Sequence, residues 1–171
     1  MIEYRPVFLA IFIFVGITLL QTTLLDFIAV RGIIPDLALI LLVFLAVRRG
    51  SMNGQVVGFL GGIVEDIVSL SPLGFHSLIR ALLGFLSGLL HGIIILDLVF
   101  VPFFLIAGSM IIKGIVTYLM SLIFSLRINH YILEMDFWFE ALFTSFLAPG
   151  LFFILGLIPD LRQSKREKKS E

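Results

Sequence analysis

The chain has 171 residues, 60% of them hydrophobic and only 14% charged, with a formal net charge of zero and no cysteine. A soluble domain of this length could not hide so much apolar surface, and runs this long exceed core helices, so the composition points to a polytopic α-helical membrane protein. Zero net charge offers no global field for nucleic acid or acidic ligands, and the lack of cysteine removes disulfides, thiolate metal sites and a cysteine nucleophile.

Six spans are expected along the chain. The first, about Pro6 to Leu24, follows one basic residue and lacks a small-residue cleavage site, so it reads as a retained helix and not a signal peptide. The second, about Ile34 to Val47, is short. Pro35 and Asp36 open it, where a missing N–H is harmless and an acid faces the positive helix end. The third, about Gly54 to Leu70, closes at "SPLG". The fourth runs from about Phe75 to Leu96, the fifth from Val99 to Leu126 and the sixth from Phe137 to Ile158. Short connections make these one compact bundle over residues 1–161, followed by a basic tail over residues 162–171.

Basic residues set the orientation. Arg5, Arg48, Arg49, Arg162, Lys165, Arg166, Lys168 and Lys169 fall on one side, and only Arg31 and Arg127 on the other. Both termini are therefore expected in the cytoplasm. The tail anchors this topology and can also touch anionic lipid.

Span three carries Gly54, Gly58 and Gly62, and span four carries Gly84, Gly88 and Gly92, each set four residues apart. Such patterns let helix backbones approach closely in lipid, as ordinary bundle packing or as a homodimer seam. Continued by fours, the first face reaches Asp66, and the second runs back to Arg80 and His76. Asp66 and Arg80 each lie about six residues from the turn, roughly 9 Å at 1.5 Å per residue. Lys113 and Gln21 fall near the same level, so Glu65, Asp66, Arg80, Lys113 and Gln21 form an expected polar layer in the outer half of the bundle. An isolated charge at mid-membrane costs about 2.5–3.5 kcal/mol even on the lenient insertion scale, and pairing removes much of that cost. Arg80 is expected to pair with Asp66, Glu65 or both. The layer serves as structural glue or as a functional surface.

His76, His91 and His130 lack metal-ligand spacing, and neither HExxH nor a matched triad is present. Ser69 and Ser71 read as turn residues before a proline, and Trp138 as an interfacial aromatic. No catalytic residue, metal site or cofactor is expected.

Residues 34–87, "IPDLALILLVFLAVRRGSMNGQVVGFLGGIVEDIVSLSPLGFHSLIRALLGFLSG", resemble the rod shape-determining protein MreD family. The resemblance rests on a Pro-Asp opening a short span, an Arg-rich turn, a glycine-rich span ending in Asp, and "SPLG" with a histidine close behind. The matching positions are Pro35, Asp36, Gly58, Gly62, Asp66, Pro72, Gly74 and His76. Leu70 stands where glycine is expected, and Glu65 and Arg80 where apolar or aromatic residues are expected.

The resemblance implies a non-enzymatic bacterial inner-membrane scaffold of the cell-elongation machinery. It would bind MreC, a single-span protein, and through it connect MreB filaments to the RodA glycosyltransferase and a class B penicillin-binding transpeptidase. It also implies a six-helix plan resembling the substrate-binding subunits of energy-coupling-factor vitamin transporters. A transporter substrate subunit, with the polar layer as its pocket, is the competing reading. A lipid-processing enzyme is disfavoured by the lack of paired catalytic groups.

Overall fold

The computed structural model describes residues 4–28, 34–93, 100–123 and 134–158. They form six helices: α1 (Tyr4–Ile28), α2 (Leu37–Arg49), α3 (Ser51–Val68), α4 (Phe75–Gly88), α5 (Phe100–Ile123) and α6 (Met135–Gly156). The described residues contain no strand. Arg31, Arg127, His130 and the basic tail lie outside the described residues.

α2 explains the arrangement. Ten consecutive residues, Ala38 to Val47, are buried. A helix that is apolar all round has no face to offer water and belongs inside a bundle. α2 accordingly contacts every other helix. With 13 residues it is about 20 Å long. Its polar ends fix its place: Asp36 caps the first turn through a 2.8 Å bond from the Leu39 N–H, and His91 Nδ1 meets the Val47 carbonyl at 2.8 Å near the other end. Phe44 packs edge-on against Phe152 of α6, ring centres 5.2 Å apart.

α2 and α3 are joined at Gly50 alone, whose φ of 86° suits glycine and lets the chain reverse without a loop. α3 and α4 then pack through their glycines. A Cβ at Gly54 would fall 2.5 Å from the Gly84 carbonyl oxygen. One at Gly58 would meet the Arg80 carbonyl, and one at Gly62 the Ser77 backbone. One at Gly84 would strike Gly54, and one at Gly88 would strike Ser51. Five of the six glycines thus close one intramolecular seam, with backbones too near for any side chain between them. Gly92 differs from expectation. α4 ends at Gly88, the chain turns through 89–93, and Gly92 has a φ of 76° with open space around it.

α1 lays Phe14 onto this pair, its ring filling the space above Gly61. α5 and α6 pack on each other and close the other side. α5 and α6 are long and apolar enough to cross a membrane by length and composition. α4, at 14 residues, is shorter than the span expected for it from Phe75 to Leu96, whereas α3, at 18, has about its expected length and starts three residues earlier. Large apolar side chains cover the outside, among them Phe12, Phe104, Phe146 and Phe153, each more than two-thirds exposed. Trp138 is half exposed and packs edge-on against Phe137.

Candidate functional site

One end of the bundle holds five charged side chains from five helices in a continuous chain. Arg80 of α4 grips Glu65 of α3 with two bonds, Nε to Oε2 at 2.8 Å and Nη2 to Oε1 at 2.9 Å. Its third arm, Nη1, reaches Asp36 Oδ1 at 3.0 Å. The Lys113 ammonium of α5 lies 2.7 Å from Asp36 Oδ2 and 2.9 Å from Glu140 Oε1 of α6. The order is Glu65, Arg80, Asp36, Lys113, Glu140, so acid and base alternate throughout. Among the described residues, three carboxylates and two cations make up this chain.

Asp36 is the hub because of where α2 begins. As its N-cap, it is held at the helix end, with one oxygen taking the Leu39 N–H and its own N–H donating to Thr144 Oγ1 at 3.0 Å. Gln21 of α1 donates from Nε2 to the Pro35 carbonyl at 2.6 Å, so the sixth helix also fastens to this point. The Arg80 guanidinium lies 5.7 Å from the centre of the Phe14 ring, a distance at which the ring face attracts a cation.

A cavity of about 210 Å³ opens beside the network. Its walls include Thr18, Gln21, Pro35, Asp36, Glu65, Ser69, Arg80, Lys113 and Glu140. Asp36 and Arg80 sit deep, with side chains 6% and 5% exposed, whereas Glu65, Lys113 and Glu140 keep 16–20%.

Asp66 does something else. Of the layer expected from sequence, Glu65, Arg80, Lys113 and Gln21 converge on Asp36, but Asp66 turns to the start of α4. Its Oδ2 accepts from the Gly74 N–H at 2.9 Å, the Ser77 Oγ at 2.7 Å and the Ser77 N–H at 3.3 Å. Its Oδ1 accepts from the His76 N–H at 2.7 Å and lies 3.0 Å from His76 Nδ1. A carboxylate only accepts, so Nδ1 carries the hydrogen.

The first N–H groups of a helix have no partners within it, and Gly74, the N-cap with φ 101°, has no side chain to offer. Asp66 supplies the cap from the preceding helix and places its charge at the positive helix end. The Asp, Gly and His of the sequence motif are therefore one capping unit. Pro72 accepts the Phe75 N–H within the same turn. The Arg80–Asp66 pairing allowed by sequence is replaced by Arg80 on Glu65 and Asp36, because the cap consumes both Asp66 oxygens.

Sequence reasoning left Asp36 and Glu140 out of the layer. Asp36 reads as a helix opener, and Glu140 lies within the aromatic stretch "FWFE". The signal for both was the same as for Lys113: a charge inside an otherwise apolar run has to find a partner in the bundle.

No curated protein and no solved structure matches the chain significantly. The likeness to energy-coupling-factor substrate subunits therefore finds no support in a solved fold. Among protein families, the one described as rod shape-determining protein MreD matches residues 4–161. A match over nearly the whole chain, spanning the Asp36 hub and the Asp66 cap alike, places this protein in the MreD family of rod shape-determining proteins.

Proposed function

We propose that the chain is a multi-pass, non-enzymatic scaffold of the bacterial inner membrane that supports rod shape by holding wall-synthesis partners together. The observation that carries this reading is the family match over residues 4–161. The geometry supports it: the charged groups tie helices to one another, and the exterior is apolar. In this reading residues 1–161 form one six-span domain, and residues 162–171 form a basic cytoplasmic tail. Both termini are cytoplasmic, following the eight-to-two excess of basic residues.

The partner is an MreC-like single-span protein. Through it the scaffold meets MreB filaments, RodA and a class B penicillin-binding transpeptidase, and so takes part in peptidoglycan synthesis. Helix recognition in lipid depends on close packing and a few polar contacts. The α3–α4 glycine seam is already closed within the chain, which leaves the outer faces of the other helices for docking.

The test is depletion in the native cell with cell shape scored, joined to purification in mild detergent and identification of co-purifying membrane proteins. Swollen or rounded cells and an MreC-like companion are expected. Cells that keep their shape but lose uptake of one small nutrient would overturn the scaffold reading in favour of a transporter subunit. A C-terminal reporter active only outside the cytoplasm should stay silent; a bright signal would refute the orientation.

A further inference from the structure

We propose that the turn between α3 and α4 is seated in the lipid of the leaflet it faces, with Leu70 and Leu73 among the acyl chains. The proposal rests on the membrane placement in the scaffold reading and goes beyond it, since that placement does not fix the depth of a turn.

Length sets the depth. α3 has 18 residues and α4 has 14, which at 1.5 Å per residue makes about 27 and 21 Å. α5 and α6, with 24 and 22 residues, reach about 36 and 33 Å. The hydrocarbon core of a bilayer is about 30 Å thick, so α5 and α6 cross it and the α3–α4 hairpin falls short. The base of the hairpin is fixed. α3 starts at Ser51, joined through Gly50 to Arg48 and Arg49 at the end of α2, charges that belong at a membrane surface. From there an upright α3 ends about 3 Å inside the far edge of the core, and tilt lowers it further.

The surface of the turn fits that depth. Residues 67–75, IVSLSPLGF, include no charged side chain. Ile67, Leu70 and Leu73 are 60%, 92% and 72% exposed. Leu70 also holds a left-handed φ of 55°, a conformation that is costly for leucine and free for glycine. In water an uncovered leucine there adds a hydration penalty to the backbone cost. Among acyl chains that penalty vanishes.

A turn in lipid has to satisfy its own polar groups, because hydrocarbon offers them no partner. The Ser69 N–H donates to the Glu65 carbonyl, the Ser71 N–H to the Asp66 carbonyl and the Phe75 N–H to the Pro72 carbonyl. The N–H groups of Gly74, His76 and Ser77 all end on the Asp66 carboxylate. The Ser69 hydroxyl donates to the Glu65 carbonyl and takes a 2.9 Å bond from the Ser71 hydroxyl. Pro72 brings no N–H. Asp66, its own side chain fully covered, thus removes three donors that would otherwise call for water.

The chain has no cysteine, so a single nitroxide label can be attached to the full chain at one chosen position. Leu70→Cys and Leu73→Cys are made separately, with Phe146→Cys as a reference on the exposed face of α6. Each labelled chain is placed in phosphatidylcholine nanodiscs. Collisions of the label with oxygen, which concentrates in lipid, are compared with collisions with a nickel chelate, which stays in water.

Oxygen should outweigh nickel at both turn positions, as at Phe146. Nickel dominating at either turn position, while oxygen dominates at Phe146, overturns the proposal and leaves the membrane reading standing. Nickel dominating at Phe146 overturns that reading and the proposal with it. Low collision with both reagents at the turn would mean that a second copy covers it, which also overturns the proposal. Either turn label decides alone if the other variant fails to fold.

Discussion

Replacing Arg80 separates the two acids that precede the α3–α4 turn. Its guanidinium makes three charged hydrogen bonds, two to Glu65 and one to Asp36, and its side chain is 5% exposed. Removing one partner of a buried ion pair costs about 3–5 kcal/mol, because the other charge is stranded. Here the loss is uneven. Asp36 keeps Lys113 at 2.7 Å, so Glu65 carries most of the damage. Glu65 borders the cavity and retains 20% exposure, where water reaches it, so Arg80→Leu should sit near the low end, about 3 kcal/mol.

Combining Arg80→Leu with Glu65→Leu removes the stranded charge and should recover about 2 kcal/mol, inside the range of coupling seen for residues in one network. Arg80→Leu with Asp66→Leu should recover nothing, since Asp66 is bonded to Gly74, His76 and Ser77 and not to Arg80. The assay is a pair of double-mutant cycles, read by denaturant titration in mixed micelles with Trp138 fluorescence. Coupling to Glu65 below about 0.5 kcal/mol, or equal coupling to both acids, would refute the reasoning.

Asp66→Ala leaves the first N–H groups of α4 uncapped, so it should cost about 2 kcal/mol, the upper end for a cap, and speed hydrogen exchange at the Gly74 and His76 amides. Gly58→Ala drives a Cβ into the Arg80 carbonyl, backbone that cannot step aside, and should cost about 1–3 kcal/mol. Gly16→Ala meets nothing within 4 Å and should be neutral or stabilising by up to about 1 kcal/mol; thermal midpoints in detergent check both. Leu70 holds a φ of 55° while 92% exposed, so Leu70→Gly should relieve about 1 kcal/mol of backbone strain with little packing to lose. A fall in midpoint for Leu70→Gly would contradict that.

Local periodicity made the helices and the glycine seam readable. Gly54, Gly58 and Gly62 recur every four residues, and so do Gly84 and Gly88, so a shared face followed from helix geometry alone. The same rule failed at Gly92, because α4 ends at Gly88 and its period ends there too. Equal distance from the turn put Arg80 and Asp66 at one depth, yet depth does not determine which way a side chain leans. Asp66 leaned to the nearest unsatisfied N–H groups, a claim set by the glycine at the N-cap. Asp36 and Glu140 were obscure for another reason. Their partners come from helices far along the chain, and sequence spacing carries no record of which ends meet. The glycine expected at Leu70 was sound as geometry: the backbone there is left-handed, and this chain keeps a leucine in it.

The hub at Asp36 also sets an order in time. Its two cations lie 44 and 77 residues further along the chain. While the protein is being made, α2 emerges with an acid at one end before either of these two cations has been synthesised. Arg80 arrives only with α4, and Lys113 only with α5. α2 cannot settle into its enclosed position until both have appeared, since an uncompensated carboxylate would have to be buried with it. A nascent chain stopped after α3 should therefore hold α2 loosely. One stopped after α5 should hold it fast, so the most enclosed helix of the finished bundle is among the last to be fixed.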